Sequence, residues 1–341
     1  MKPSEPFVSV ITPCYNGADF IAECIESVLK QSYAEFEYLL VNNCSTDNTL
    51  QIMHDYAKRD SRIRVHDNTE FLDVMVNHSH AMRFMSPESA WCKCVSADDW
   101  IFPDCLRQMV EFGVDHPNVG IICCYSIEGS RILFQGLDYH RNVVNGREIC
   151  RETLLGRQPY VFGAPTSLLY RADLIRSVPE FFPWGKGDPH ADVSGVYQAL
   201  RTSDFGFVHQ ILTYTRVHTG SQTSQSFTFG RINRALLGYV RRFGPIYLTE
   251  DEFKRQLQIF SDMYYDWLAA ALLENSFDHG FLEKQRQELA SSDIELDTSE
   301  LAKAGLRRGA ELVLHPVVTM KKIRAARKRK GKVEARGANL T

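Results

Sequence analysis

Two adjacent aspartates, Asp98 and Asp99, follow closely on the apolar run Trp91–Val95. Such a run predicts a strand, and the carboxyl end of a strand is where an open α/β sheet binds its ligands. Carboxylate oxygens there suit a hard divalent cation, and such a cation suits a diphosphate. Taken alone, the pair is more typical of an Asx turn ahead of the helix that begins near Pro103, so the metal-site prediction depends on other segments.

The segments around this pair alternate strand with helix through the first half of the chain. Continuous runs of Val and Ile indicate buried strands, and apolar residues at helical spacing indicate the helices between them. We predict strands at Phe7–Thr12, Phe36–Val41, Ile63–His66, Trp91–Val95 and Val119–Tyr125, and helices at Ala18–Gln31, Asp47–Ala57, Asp73–Met85 and Pro103–His116. Regular alternation predicts right-handed βαβ units, and hence an α/β fold in which Val119–Tyr125 closes a parallel sheet.

The pattern loosens after residue 126 and becomes helical in the last third of the chain. Thr249 and Glu252 have the spacing of a capping box ahead of a long helix. We expect helices at Arg147–Gly156, Asp192–Thr202, residues 249–273 and Phe281–Ala290, and extended segments at Thr166–Tyr170 and Phe205–His218. The chain then divides into a first domain at residues 1–228, a helical region at 229–310 and a basic tail at 311–341.

Charge is distributed unevenly along the chain of 341 residues, whose formal net charge is −3. Nine basic residues and one acidic residue lie between Lys321 and Arg336, so this segment carries eight positive charges and the remainder eleven negative ones. An acidic body argues against a nucleic-acid-binding core, whereas the tail can attract an anionic surface. Its flanking apolar residues suit the surface of an anionic membrane, and its composition fits a disordered tail equally well.

The nine cysteines lie mostly inside predicted strands and helices. This distribution predicts reduced, buried thiols in a cytosolic protein. A zinc site from Cys92, Cys94, Cys123 and Cys124 is disfavoured, because neither pair has the two-residue spacer of structural zinc sites. No run approaches the roughly 18 apolar residues that cross a bilayer, and the N-terminus has no signal-peptide core. We predict a cytoplasmic location, at or near the cytoplasmic face of the membrane.

Five segments occur in the order in which similar motifs occur in the family 2 glycosyltransferases, and each resembles its counterpart. They are Val8–Gly17, Val41–Thr49, Ser96–Asp99, His190–Asp192 and Tyr214–His218. The resemblance covers roughly residues 7–220 and implies the GT-A fold, a Rossmann-like, mostly parallel sheet flanked by helices. It also implies an inverting, metal-dependent enzyme that moves a sugar from a nucleotide diphosphate sugar to a hydroxyl of a glycan or a lipid-linked acceptor.

The resemblance assigns residues to the metal and to the nucleotide. It implies that Asp99 and His218 hold Mn²⁺ or Mg²⁺, which as a Lewis acid neutralises the charge on the departing diphosphate. A satisfied histidine at a strand end is the other interpretation of His218. The implied nucleotide-binding residues are Pro13, Tyr15, Asn42, Asn43, Asn77 and Asp98.

Base recognition departs from the family pattern at Asn42 and Asn43, where family members commonly have aspartate that accepts a hydrogen bond from uracil. An asparagine carbonyl can accept the same bond, though without the strengthening that a charge gives. We therefore predict UDP as the nucleotide and leave another base open.

Asp192 is implied as the general base. Inversion requires a carboxylate opposite the leaving diphosphate, within hydrogen-bond reach of the acceptor hydroxyl. Asp192 could also cap its helix, and Ala191 stands where the family usually has a second acidic residue. We predict acceptor contacts at Trp184 and His190, and we expect the segment Phe162–Thr166 to face the acceptor.

Two other functions stay open. A non-catalytic protein of the same fold that binds a nucleotide sugar or a glycan is favoured by Asn42, Asn43 and Ala191. A sugar-phosphate nucleotidyltransferase needs a Gly-rich basic loop, whereas Thr12–Asp19 has one glycine and no Lys or Arg. The C-terminal helices could cover a sheet edge, form a homodimer interface or position the acceptor.

Overall fold

The structure, a computed structural model, describes residues 5–182, 191–218, 229–274, 279–290 and 294–314. Contacts divide the chain into a first unit that extends to Val217 and includes Ile246–Leu248, and a second unit that begins at His218. Within the described ranges, no helix combines the length and the apolar character needed to cross a bilayer.

A mixed ten-stranded sheet forms the centre of the first unit. Its strands are β1 (Val8–Cys14), β2 (Phe36–Asn42), β3 (Ile63–Asp67), β4 (Trp91–Cys94), β5 (Trp100–Ile101), β6 (Val119–Glu128), β7 (Arg131–Leu133), β8 (Val143–Val144), β9 (Leu168–Arg171) and β10 (Asp204–Tyr214). The strand order is β3-β2-β1-β4-β9-β6-β10-β5, with β7 paired to β6 and β8 paired to β10. Strands β3, β2, β1 and β4 run parallel, as the alternating sequence pattern predicts.

Seven α-helices accompany these strands in the described part of the first unit. They are α1 (Ile21–Leu29), α2 (Thr49–Ala57), α3 (Val74–Met82), α4 (Cys105–Asp115), α5 (Gly146–Leu154), α6 (Ala172–Arg176) and α7 (Ala191–Ala199). Helix α1 illustrates why they form, because Ile21, Cys24, Ile25 and Val28 recur at helical spacing and are all buried. Residues of α1, α2 and α4 pack with β1, β2, β4 and β6 into one core.

The order in which the chain adds strands to the sheet reverses at β1, although the strands themselves stay parallel. From β1 the chain passes to β2 and β3 on one side, and it returns through β4 on the other side. Such a reversal opens a crevice between the carboxyl ends of the two adjacent strands, where open α/β sheets bind their ligands. The loop after β4 carries Asp98 and Asp99, so the prediction that this acidic pair stands at a strand's carboxyl end is confirmed.

The prediction that Val119–Tyr125 closes a parallel sheet is wrong. Strand β9 lies between β4 and β6 and runs antiparallel to both. The sequence Leu-Leu-Tyr-Arg is compatible with either strand direction, because direction is set by the connections and not by periodicity. The short strands β5, β7 and β8 were not predicted for a related reason, since two or three residues carry no measurable alternation.

The second unit is helical in its described part. Helices α8 (Phe229–Tyr247), α9 (Glu250–Glu274), α10 (His279–Ala290) and α11 (Thr298–Leu314) follow in order, with the end of α8 counted in the first unit. The capping box is confirmed: the Thr249 N–H donates to Glu252 Oε2 at 3.1 Å, and the Glu252 N–H donates to Thr249 Oγ1 at 3.4 Å. Tyr264 and Leu268 of α9 pack with Leu237 of α8 in the core of this unit.

Candidate active site

Asp99 lies just beyond β4, and two distant segments hold its carboxylate. Thr166 Oγ1 donates a hydrogen bond to Oδ2 at 2.6 Å, and the backbone N–H of Arg216 donates to Oδ1 at 3.0 Å. Thr166 is itself oriented, because its Oγ1 accepts the backbone N–H of Ser96 at 3.0 Å. Each carboxylate oxygen of Asp99 has one of these donors and keeps a second lone pair.

The charge on Asp99 is poorly compensated within the protein. The side chain is only 6% exposed. Burial, and next the charge of Asp98, raise the pKa of Asp99 to about 7, against the lowering effect of its bonds to Thr166 and Arg216. A buried carboxylate beside a second carboxylate is unfavourable in its charged form unless a cation is present.

The guanidinium of Arg216 packs around the loop of the acidic pair. Its Nε donates to the backbone carbonyl of Asp98 at 2.9 Å, and its Nη2 pairs with Glu23. The group also lies 5.0 Å from the ring centroids of both Phe20 and Trp100. Arg216 therefore joins the loop after β4 to the start of α1 and to the end of β10.

Asp98 and Asp99 fit a divalent cation as a pair of hard oxygen ligands, because a cation would offset both the burial and the mutual repulsion that raise the pKa of Asp99. Across the described residues, no group of three or more His, Cys, Asp or Glu side chains is placed to hold a metal ion. Magnesium at nucleotides commonly uses one or two carboxylates and takes its other ligands from phosphate and water. His218 begins the second unit, so its assignment as a ligand stays a prediction.

The turns after β1 and β2 are joined to each other. Asn16 adopts a φ of 48°, its Oδ1 accepts the Thr46 N–H at 2.8 Å, and its own N–H donates to Ser45 Oγ at 3.0 Å. These bonds fix the backbone next to Tyr15, whose ring is 50% exposed. The ring of Phe71 meets that of Tyr15 edge-on at 4.8 Å, which gives two exposed aromatic rings at the crevice.

A network of buried amides lies behind these rings. Asn43 Oδ1 accepts the Leu72 N–H and Asn68 Nδ2, each at 3.0 Å, while Asn43 Nδ2 donates to the Leu72 carbonyl at 2.8 Å. Asn68 Nδ2 also donates to Asn77 Oδ1 at 2.9 Å. Both lone pairs of the Asn43 amide oxygen are therefore occupied, which leaves that oxygen no capacity to accept a bond from a nucleobase.

Asn42 is engaged differently. Its Nδ2 donates to Asp67 Oδ1 at 2.6 Å, and its Oδ1 accepts only a long bond from the Ser45 N–H at 3.3 Å. Because a carboxylate can only accept, the bond to Asp67 fixes which way the Asn42 amide faces. Asp67 ends β3 and is exposed, so a carboxylate stands beside Asn42 although position 42 itself is an amide.

Asp192 lies in the first turn of α7, which begins one residue earlier than predicted, at Ala191. Burial raises the pKa of Tyr170 well above its usual range, and the charges of Cys94 and Asp192 raise it further. Tyr170 lies on β9 opposite Cys92 of β4. The charge of Asp192 therefore reaches Tyr170 on β9. Strand β9 is paired with β4, and β4 precedes the acidic pair.

The predicted acceptor contacts have two outcomes. Trp184 and His190 lie outside the described residues. The segment Phe162–Thr166 is buried, with Phe162 0% and Thr166 1% exposed, and its predicted place facing the acceptor stays a prediction. Phe162 packs edge-on against Tyr197 and Phe205, and the Thr166 hydroxyl is bonded to Asp99.

Sequence reasoning missed the bond of Thr166 to Asp99 and the position of Asp67 beside Asn42. Thr166 is separated from Asp99 by 67 positions, and no spacing rule connects a lone threonine to a carboxylate that far away. Asp67 directly follows the predicted strand Ile63–His66, so its position at the carboxyl edge of the sheet was the available signal.

The prediction of reduced cysteines is confirmed. All nine are free, and all except Cys44 are buried. Burial is the main cause that raises the pKa of Cys14 and of Cys24 to about 12, so both stay as thiols.

Two comparisons decide the family. A model described as glycosyl transferase family 2 matches residues 9–177. An uncharacterized glycosyltransferase of Haemophilus influenzae is 40% identical over 232 residues, which cover 65% of this chain and 68% of that protein. The chain belongs to glycosyltransferase family 2. The resemblance in the sequence is thereby confirmed.

Other relatives match over a shorter part of their length. The putative teichuronic acid biosynthesis glycosyltransferase TuaG of Bacillus subtilis is 33% identical over 131 residues, which cover 38% of this chain. Those residues span about half of the relative, 49% of its length.

Solved structures confirm the GT-A fold class. Residues 1–349 of S. aureus TarS in complex with UDP superpose with a TM-score of 0.56 at 20% identity, covering 84% of this chain and 80% of that one. The mannosyltransferase PcManGT from Pyrobaculum calidifontis, in complex with GDP-Man and Mn²⁺, gives a TM-score of 0.52 at 18% identity, covering 94% and 84%. At these identities the likeness concerns the fold.

Proposed function

We propose that this family 2 protein is an inverting, metal-dependent glycosyltransferase that moves a sugar from a UDP-sugar to a hydroxyl of a glycan or a lipid-linked acceptor. The observation that carries this proposal is the buried carboxylate of Asp99 beside the partly exposed Asp98, at the crevice between β1 and β4. Asp99 is held through both oxygens and has a pKa raised to about 7 by burial and by the charge of Asp98. A buried carboxylate with a raised pKa beside a second carboxylate is typical of a functional site, which supports a cation site here.

Asp98 and Asp99 would hold the cation, which when bound supplies positive charge to the departing diphosphate. The protein's own contribution is orientation, because Thr166 and Arg216 fix the direction of the Asp99 carboxylate. His218 stays our proposal for a further ligand. The neighbouring structures with UDP and with GDP-Man and Mn²⁺ support this assignment by analogy of fold.

Asn42 and Asp67 are our candidates for recognising the base, with Tyr15 and Phe71 stacking against its face. Asn42 keeps acceptor capacity, and Asp67 adds a carboxylate that can accept an imide N–H. Exposed aromatic rings are suited to stack on a base. Asn43 and Asn77, which both accept hydrogen bonds from the Asn68 amide, would support this pocket from behind instead of touching the nucleotide.

Asp192 would act as the general base, taking the proton of the acceptor hydroxyl as that oxygen attacks the sugar. Asp192 lies in the first turn of α7, where the positive amino end of a helix interacts favourably with a carboxylate. Trp184 and His190 stay our proposed acceptor contacts. The basic tail would bring the protein to the cytoplasmic face of an anionic membrane, where a lipid-linked acceptor resides.

Incubation of the purified protein with Mn²⁺ and a panel of UDP-sugars tests the proposal. We expect release of UDP by the wild type, a loss of roughly a thousandfold in Asp192→Asn, and unchanged UDP binding in that variant. The matched control is Asp173→Asn, which removes an exposed carboxylate paired with Arg171 and should leave turnover unchanged.

Three outcomes contradict parts of the proposal. Full activity of Asp192→Asn would show that another group is the base. Nucleotide binding without turnover of any donor would favour the non-catalytic alternative. A product with retained anomeric configuration in NMR spectra would exclude the inverting mechanism.

A further inference from the structure

Lys93 lies in the middle of β4, between Cys92 and Cys94, and is 0% exposed. Its Nζ donates to the backbone carbonyl of Thr166 at 2.5 Å and to that of Leu168 at 3.2 Å. An ammonium group taken out of water is costly unless its hydrogen bonds are replaced, and here backbone carbonyls replace them. A Leu or Val would fill a strand position in this core at no such cost.

The two carbonyls that Lys93 binds belong to the segment that orients Asp99. A 3₁₀ turn at Pro165–Ser167 leads directly into β9. Thr166 meets the ammonium through its backbone carbonyl and meets the Asp99 carboxylate through its side chain, at 2.6 Å. A continuous path of hydrogen bonds therefore runs from the buried ammonium through a single residue to one oxygen of Asp99.

We propose that Lys93 is a positioning residue, which fixes the Thr166 turn so that the Asp99 carboxylate points correctly toward a divalent cation. This inference rests on the proposed function, in which Asp99 binds the cation. The residues that orient a metal ligand commonly change metal affinity or activity by 10- to 100-fold when they are replaced.

The charge of Lys93 suits this role better than a neutral side chain would. The turn and β9 present carbonyl oxygens to the interior, and a single ammonium can bond to more than one of them because it carries three donors. Without it the Thr166 and Leu168 carbonyls would lose buried bonds, and the turn could relax. Oδ2 of Asp99 would then lose a fixed donor, whereas Oδ1 would keep the Arg216 N–H.

A double-mutant cycle on metal affinity tests the inference. Lys93→Met removes the ammonium and keeps the length and apolar stem, and Thr166→Val removes the hydroxyl and keeps the shape. The dissociation constant of Mn²⁺ in the presence of UDP is measured by electron paramagnetic resonance of the free ion. We expect each single variant to bind Mn²⁺ about tenfold more weakly, and the double variant to bind no more weakly than Thr166→Val alone.

Conservative variants separate positioning from a general loss of structure. Thr166→Ser keeps the hydroxyl and should bind Mn²⁺ as the wild type does. Lys93→Gln keeps a donor for one carbonyl and should bind Mn²⁺ more tightly than Lys93→Met; if Lys93→Met does not fold by circular dichroism, Lys93→Gln takes its place in the cycle. Met109→Leu is the matched control, because it removes the sulfur 3.7 Å from Nζ and leaves both carbonyl bonds in place.

The outcomes distinguish this inference from the proposed function. If the wild type binds Mn²⁺ with UDP and Lys93→Met binds it equally well, Lys93 has no positioning role and the proposed function stands. Additive losses in the cycle would also overturn the inference, because they would show that Lys93 does not act through Thr166. If the wild type binds no Mn²⁺ in the presence of UDP, the metal-dependent function itself fails.

Discussion

At the carboxyl edge of the sheet, buried polar groups are compensated by different interactions on the two sides of β1. Beyond β2 and β3, Asn43 bonds to Asn68 and to the Leu72 backbone through neutral hydrogen bonds, while the buried Asn68 Oδ1 has no hydrogen-bond partner among the described residues. Beyond β4, burial and the adjacent carboxylate of Asp98 leave Asp99 with a pKa raised to about 7. The Asn43 amide oxygen is satisfied within the protein, whereas the charge on the acidic side would be offset by a cation.

From this difference we expect the amide side to stabilise the fold and the acidic side to bind a ligand at a cost in stability. Satisfied buried amides stabilise a structure, and removing one leaves its partners unpaired. A buried carboxylate with a raised pKa costs stability, because the charged form is less favourable in the folded protein than in water. Stability and binding should therefore respond in opposite directions to mutations on the two sides.

The largest expected effect belongs to Asp99→Asn. We expect turnover to fall roughly a thousandfold, in the range seen when an electrostatic contact to a transition state is lost. At pH 8 the metal-free variant should unfold at higher urea, with the free energy of unfolding raised by about 1–3 kcal/mol, because the wild-type carboxylate is ionised against its raised pKa.

Urea titration with and without Mn²⁺ measures this effect, and Asp55→Asn, an exposed carboxylate on α2, is the control. A variant less stable than the wild type would show that Asp99 contributes to the fold as the amides do, and the contrast between the two sides would disappear.

Asn43→Ala should show the reverse behaviour. It leaves the Leu72 N–H, the Leu72 carbonyl and the Asn68 amide short of partners, so we expect the free energy of unfolding to fall by about 2–4 kcal/mol. The affinity for Mn²⁺ should change little, since the acidic pair shares none of these bonds.

Chemical denaturation and a Mn²⁺ titration provide the two measurements. Asn118→Ala removes an exposed asparagine before β6 and should change stability by no more than about 0.5 kcal/mol. A loss of Mn²⁺ affinity in Asn43→Ala comparable to that in Asp99→Asn would mean that the two sides are one network.

The smallest effect concerns pH, through His78 on α3, next to Asn77 of the amide network. Burial lowers the pKa of His78, against the raising effects of its bond to the Val74 carbonyl and of the charge of Asp98. His78 therefore binds a proton near pH 6.5 in the unfolded chain, whereas in the folded protein it stays neutral to a lower pH. Stability contributed by neutral His78 is present above pH 6.5 and is lost as the pH falls below it.

We expect the slope of unfolding free energy between pH 6.5 and pH 5 to decrease in His78→Gln, by at most about 1.4 kcal/mol per pH unit. The exposed His54 provides the control variant, His54→Gln, which should keep the wild-type slope. An unchanged slope in His78→Gln would assign the acid sensitivity to other groups.

Much of the fold followed from local pattern. The strands from β1 to β4 and the helices between them were predicted to within a few residues, because buried runs and helical spacing repeat over whole elements. The position of β9 was predicted as the extended segment Thr166–Tyr170, whereas its antiparallel direction was not, since four residues carry no information about direction. Helices α8 and α11 were also missed.

The residues of the candidate site likewise fall into those that the sequence predicted and those that only the fold brought together. Residue type and position marked Asp98 and Asp99, because acidic pairs at strand ends are recognisable in a linear chain. Nothing local marked Thr166 or Lys93, whose roles come from bonds across 67 and 73 positions. Pairing of lone side chains over such separations depends on the fold, and no periodicity records it.

By itself the sequence determined the family, the parallel half of the sheet, the reduced cysteines and the place of the acidic pair. Tertiary structure alone decided that the Asn43 amide oxygen is fully occupied while Asn42 is paired with Asp67, and that the two oxygens of Asp99 are held by Thr166 and Arg216. The physical reason is that residue type states which hydrogen bonds a group can make, whereas only the folded chain determines which partners come within about 3 Å of it.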